Sequence, residues 1–234
     1  MKLIITFLLC FLIVSCHQKK EKETNSHLNE VNILNETKKN ESIEIDTLLN
    51  SNNYLIIAPK SATIKIIKQH EISNFQTFKI LMNYKDDIII GENISEEDVE
   101  IYRKYHPKTS FNDYPATIYK GKLADPDFSS NPTAKQFITR IKEGCKNGIN
   151  FAGHFTLIYW GCGSSCQMGV LVDRKTGKIY DGYQTSYGSK FEKNSKLIIK
   201  NAGAIDTNTN LILMCASCEV YEEIWTGTKF KLIE

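Results

Sequence analysis

The chain has 234 residues, 41% of them hydrophobic and 24% charged, a composition that excludes both a wholly disordered chain and a multi-span membrane protein. Lys and Arg number 29 and Asp and Glu 27, a formal net charge of +2, so the basic footprint of nucleic-acid binding is missing and no nucleic-acid partner is expected.

At the N-terminus, Met1 and Lys2 precede Leu3 to Val14 (LIITFLLCFLIV), an apolar run interrupted only by Thr6. As a helix this run is about 18 Å long, whereas a bilayer core of about 30 Å needs roughly twenty residues, so it reads as a signal-peptide core and not as a membrane span. It ends in Ile13-Val14-Ser15-Cys16 followed by polar His17-Gln18-Lys19-Lys20, which resembles a bacterial lipobox. The resemblance implies that residues 1–15 are removed and that Cys16 is acylated. The lipid bilayer is then a partner through Cys16, and the protein is expected in the bacterial cell envelope, facing the periplasm or the exterior. Several acyl chains give stable anchoring where one would be marginal. Residues 16–53 read as the lipidated Cys and a disordered tether. From His17 to Asn53 the chain has no Gly, Pro or aromatic residue and is crowded with charges and Asn, leaving little apolar surface to offset the entropy of ordering.

Residues 54–110 read as a small β-rich portion. Strands are predicted at 54–58 and 63–68. Phe78, Ile80, Met82 and Tyr84 alternate with more polar positions, and a turn at Lys85-Asp86-Asp87 leads into Ile88–Ile90, a hairpin pattern. Ser95-Glu96-Glu97-Asp98 predicts a helix start that stops before His106-Pro107. His70 and His106 read as surface residues.

Residues 111–234 read as a Cys-containing α+β domain. Asn131-Pro132-Thr133 leads into AKQFITRIKEG, where Phe137, Ile138 and Ile141 form the apolar stripe of an amphipathic helix over 133–146. The segments 155–160, 168–173, 178–181, 196–200, 210–215, 220–226 and 229–233 are strand-like and separated by short turns. The fold class is therefore α+β: mainly an antiparallel β-meander with one amphipathic helix packed on it, preceded by the small β-rich portion.

The stretch Ile149-Asn150-Phe151-Ala152-Gly153-His154-Phe155-Thr156, the loop Trp160-Gly161-Cys162-Gly163-Ser164-Ser165-Cys166 and the turn Asp173, Lys175, Thr176, Gly177, Lys178 resemble an uncharacterised family of bacterial exported proteins. Its pattern is NFAGHYT, WGCGTxC and DxKTGK. The resemblance covers residues 113–234 and carries no activity with it.

With Cys10 in the signal peptide and Cys16 lipidated, five cysteines remain. An oxidising compartment makes disulfides the default. The local pairs Cys162–Cys166 and Cys215–Cys218 are the simplest pattern, with Cys145 left free or buried; cross-strand pairs such as Cys162–Cys215 also fit a meander. Alternatively, Cys162, Cys166, Cys215 and Cys218 could hold one tetrahedral zinc, or Cys215-Ala216-Ser217-Cys218 could act as a thiol oxidoreductase pair. A nucleophile at Cys162, Ser164 or Cys166 would need His154 and an acid such as Asp173 or Asp181 beside it, yet His154 and Cys162 stand about 25 Å apart along an extended strand. His154 reads better as a structural residue beside the flexible Gly153.

The candidate functional loop is accordingly His154, Trp160, Cys162, Ser164 and Cys166. The aromatic residues Tyr159, Trp160, Tyr180, Tyr183, Tyr187, Tyr221 and Trp225 suit a binding face, with about half of them expected in the core. HExxH, GxSxG and phosphate-loop motifs are lacking. The favoured reading is a membrane-anchored, non-enzymatic binding module for an envelope protein or glycan, without cofactor or metal. Its alternatives are an envelope hydrolase centred on His154–Cys166 and a zinc-stabilised domain.

Overall fold

A computed structural model describes residues 45–234, within one compact unit, Glu44–Glu234. The expected signal peptide, Cys16 and most of the expected tether lie outside the described residues. Among the described residues no helix is long and apolar enough to cross a membrane.

The strands in chain order are β1 (Ile45–Asn50), β2 (Tyr54–Pro59), β3 (Thr63–Lys68), β4 (Lys79–Tyr84), β5 (Asp87–Glu92), β6 (Glu100–Lys104), β7 (Phe155–Gly163) and β8 (Cys166–Asp173). They continue with β9 (Ile179–Thr185), β10 (Ser189–Phe191), β11 (Leu197–Lys200), β12 (Leu211–Leu213), β13 (Tyr221–Trp225) and β14 (Phe230–Leu232). One α-helix, α1 (Ile138–Cys145), is present among the described residues. Every strand pair is antiparallel. The class is broadly α+β, but the expected single meander is corrected: the described residues form four sheets, ordered β1-β2-β6-β12, β3-β5-β4, β7-β8-β9 and β10-β11-β13-β14. Only β7-β8-β9 is a meander carrying a helix. Short strands joined by tight turns are compatible with many pairings, and the burial of both faces selects among them.

In the N-terminal half, Tyr54, Ile56, Ile89 and Ile101 form a core shared by β2, β5 and β6, against which Leu49, Ile64 and Ile66 pack. The consecutive Ile88, Ile89 and Ile90 of β5 are all buried, because Ile88 and Ile90 face a second cluster with Ile67, Phe75 and Phe78. A strand covered on both faces reads as a continuous apolar run. The predicted hairpin is present as β4–β5.

Two expectations for this half are corrected. The disordered tether was drawn to residue 53, yet Ile45–Asn50 is an edge strand paired with β2. Ser51 closes that hairpin, its amide donating to the Tyr54 carbonyl at 2.9 Å and its Oγ accepting from the Tyr54 amide at 3.0 Å. Composition averaged over the whole tether hides this local strand–turn–strand signal. The helix predicted from Ser95 is a single 3₁₀ turn, Glu96–Asp98, followed by β6. Ile101 alternates with polar neighbours and β2 and β12 wait on either side, so a strand satisfies more backbone groups than a short helix would.

The C-terminal half has three layers. One face of β7-β8-β9 presents Ile158, Trp160, Val170, Val172 and Ile179 to Ala134, Ile141 and Cys145 of the helical segment. The other presents Phe155, Leu157, Leu171 and Tyr183 to Ile198 and Trp225 of the second sheet. The segment 132–145 begins as a 3₁₀ turn, Pro132–Phe137, whose first amides are capped by Asn131 through Ala134 N at 3.3 Å. Of the expected stripe, Ile141 is buried and Phe137 partly so, whereas Ile138 is exposed, since the 3₁₀ start rotates it off the packed face. β12 leaves this half to pair with β6, so the boundary expected at 110/111 does not divide the described chain into separate bodies.

Candidate functional site

The loop chosen from the sequence is the tip of the β7–β8 hairpin. Gly161 to Ser165 are exposed, and Cys162 and Cys166 close the tip as a disulfide. Cys215 and Cys218 form a second disulfide and Cys145 is a buried free thiol, pushed up in pKa by desolvation. The local pairing expected from spacing is therefore the one found. It occupies all four thiols that the zinc and thiolate-nucleophile alternatives need reduced, and no cluster of metal-ligating side chains occurs among the described residues.

Trp160 is buried beneath the tip, its ring 4.4 Å from that of Phe137. Tyr183 and Trp225 are also core residues, while Tyr159, Tyr187 and Tyr221 are exposed. Tyr159 lies over Tyr183 with ring centroids 5.7 Å apart, covering Gly169, where a Cβ would strike the Ile158 carbonyl. Ser164 stands in solvent at one end of β7 and His154 precedes its other end, so the structure does not bring them together.

The NFAGHFT segment instead organises backbone. Asn150 donates to the Leu157 carbonyl at 2.9 Å and accepts from its amide at 2.7 Å. Thr156 Oγ1 donates to Gly148 O at 2.7 Å. Gly153 has φ +80°, and a Cβ there would collide with the Thr117 carbonyl. His154 stacks on Phe155 at 4.3 Å, and its Nε2 is 3.9 Å from Asp173 Oδ1, beyond a hydrogen bond. Asp173 closes its own turn by accepting from the Lys175 amide and Thr176 Oγ1. Desolvation, then the nearby Lys175 charge, lowers the His154 pKa, so the ring is neutral near pH 7. Sequence reasoning missed Arg174, only 5% exposed, which donates to Ala124 O at 3.1 Å, Cys145 O at 2.6 Å and Thr156 Oγ1 at 3.3 Å. An Arg in a charged turn carries no sign that it points inward.

A different site is formed by residues that share no motif. A cleft of about 430 Å³ opens beside β2, the β4–β5 turn, β6 and the segment 219–222. Tyr54 donates to Asp87 Oδ2 at 3.0 Å, Tyr84 to both Glu219 oxygens at 2.7 and 2.8 Å, and Tyr105 to Glu222 Oε1 at 2.7 Å. Arg103 Nη2 donates to Glu219 at 3.1 Å, with its guanidinium 4.9 Å from the centre of the Tyr84 ring. Burial and the adjacent carboxylate push Tyr54 up to about 12 and raise Tyr84 and Tyr105 further above the usual phenol value. Lys68 chiefly, with help from Tyr54, holds Asp87 below the ordinary carboxylate range. Near neutral pH these groups are fixed donors and acceptors. They suit recognition better than proton transfer, which needs a pKa near the working pH. His106, expected at the surface, is exposed at the cleft rim with Nε2 2.9 Å from Asn52 O.

No family model matches the chain, and neither the curated proteins nor the solved structures hold a significant match.

Proposed function

We propose that this protein is a bacterial envelope lipoprotein, anchored through acylated Cys16, that works as a non-enzymatic binding module with the Tyr54–Arg103–Glu219 cleft as its ligand site. The cleft carries this reading: it is a concave site of a size suited to a small molecule, with aromatic and charged side chains converging from elements far apart in sequence. The anchor is supported by the order of the sequence alone, an apolar run followed at once by Ser15-Cys16 and a polar tail. Against the hydrolase alternative stand the separation of His154 from Ser164 and the oxidised state of Cys162 and Cys166. The exposed hairpin tip closed by Cys162–Cys166 is a weaker candidate for an envelope protein or glycan. A fragment screen by amide chemical shifts on the full chain tests the choice of site. Hits are expected to converge on Tyr84, Arg103 and Glu219, and convergence on Gly161–Gln167 or on His154 would refute it.

A further inference from the structure

Resting on the cleft as ligand site, we propose that it takes a small organic anion, a carboxylate or phosphate head with an apolar body. The cations of the cavity are Lys68, Lys85, Arg103, Lys104 and Lys108, and its carboxylates are Asp86, Asp87, Glu219 and Glu222.

Three of the four carboxylates are committed to the protein. Asp87 is held by Lys68 and Tyr54, and Glu219 by Arg103 and Tyr84. Glu222 is only 6% exposed and takes the Tyr105 hydroxyl and the Lys108 amide. Asp86 alone is exposed without a hydrogen bond, and its charge acts on Lys68.

The cations are spent differently. Among the described residues, the ammonium of Lys85 meets only the Tyr84 ring, 5.1 Å away, that of Lys104 only the neutral Asn50 side chain and Ser51 carbonyl, both at 2.6 Å, and that of Lys108 only the Ile233 carbonyl at 3.2 Å. Three lysines that line the cavity thus have neutral partners at their ammonium groups, against one exposed carboxylate. An incoming anion gains charge-assisted hydrogen bonds without breaking an existing ion pair. Apolar surface lies within the same cavity, from Val220, the half-exposed Leu232 and Ile233 beside Lys108. An acid group at the lysines therefore places a short hydrocarbon body against these side chains, which a bare inorganic ion would leave wet.

Butyrate, butyl phosphate and 1-butanol share one body and differ in the head, so amide-shift titrations of the full chain in detergent micelles separate the parts of the proposal. Butyrate or butyl phosphate is expected to shift Lys85, Lys104 and Val220 saturably, with a Kd in the millimolar range, about −4 kcal/mol. Whichever binds tighter identifies the head group. Lys85→Gln, at an exposed position whose loss leaves no buried group unpaired, should weaken that binding about 3- to 10-fold, and Lys104→Gln similarly. Equal shifts from 1-butanol would overturn the anion while leaving the cleft as the ligand site. Absence of cleft shifts with all three probes, or anion binding unchanged in both variants, would overturn the proposal, and the fragment screen decides separately whether the cleft binds anything at all.

Discussion

The Asn150–Lys178 segment and the Tyr54–Glu219 cleft spend their polar residues in opposite ways. In the segment, polar side chains turn inward onto main-chain groups: Asn150 on Leu157, Thr156 on Gly148, Arg174 on Ala124 and Cys145. In the cleft, side chains bond one another across long stretches of chain, 33 residues between Tyr54 and Asp87 and 135 between Tyr84 and Glu219, and stay partly open to solvent. A dense motif of Asn, Gly, Thr and His marks a backbone that is hard to satisfy. A site with no motif can still be the place where chemistry converges.

Removing Arg174 should separate the two regions most clearly. Arg174→Ala removes the guanidinium from two buried acceptors, Cys145 O and Thr156 Oγ1, and from the part-buried Ala124 O, and about 3–5 kcal/mol of stability is expected to be lost, near the whole margin of some domains. Urea unfolding measures it; a loss below about 1 kcal/mol would mean that water replaces the guanidinium. Tyr84→Phe in the cleft should cost far less, because Glu219 keeps Arg103.

A chain beginning at Tyr54 is next in size. It lacks β1, uncovers the edge of β2 and removes Leu49 from the N-terminal core, so its Tm should fall by more than about 5 °C relative to a chain beginning at Glu44, or roughly 2 kcal/mol. Equal melting of the two would show that the strand contributes nothing.

Opening the Cys215–Cys218 disulfide closes the comparison on the cleft side. Crosslinks over such short loops are worth about 2 kcal/mol in the chain-entropy treatment. The paired Cys215→Ser, Cys218→Ser change should also shift Glu219, which follows directly and whose carbonyl is held by Asn201 Nδ2 at 2.6 Å. The same change at Cys162 and Cys166 should lower stability comparably and leave the cleft resonances unmoved.

The smallest effect is alkaline. Tyr54 titrates near 10 when unfolded and about 12 when folded, so the folded chain holds its proton longer. Its contribution to stability is complete below pH 10 and is lost as pH rises through 12. Tyrosinate absorbance that grows before unfolding, at the ordinary phenol value for all tyrosines, would contradict the phenol–carboxylate pairs.

Strand positions were largely legible because alternation and apolar runs are local: β2, β3, β7 and β8 lie close to where the residues predict them. So was the local cysteine pairing as the simplest pattern, since two or three intervening residues suit a short loop. The strand β6 was misread because Ser95-Glu96-Glu97-Asp98 is a good local helix start, and only the empty places beside β2 and β12 outweigh it. The pairing of β12 with β6 was equally hidden.

By itself, then, the order of residues marked an apolar run shortly before Cys16, an antiparallel-β-rich body with an amphipathic helix, and two local disulfides as the simplest cysteine pattern. These are properties of neighbours along the chain. Which strands share a sheet, which way Arg174 points and how Tyr54, Tyr84, Arg103 and Glu219 meet were decided by tertiary packing. Burial must be satisfied on every face at once, and that condition couples residues that have no relation in sequence.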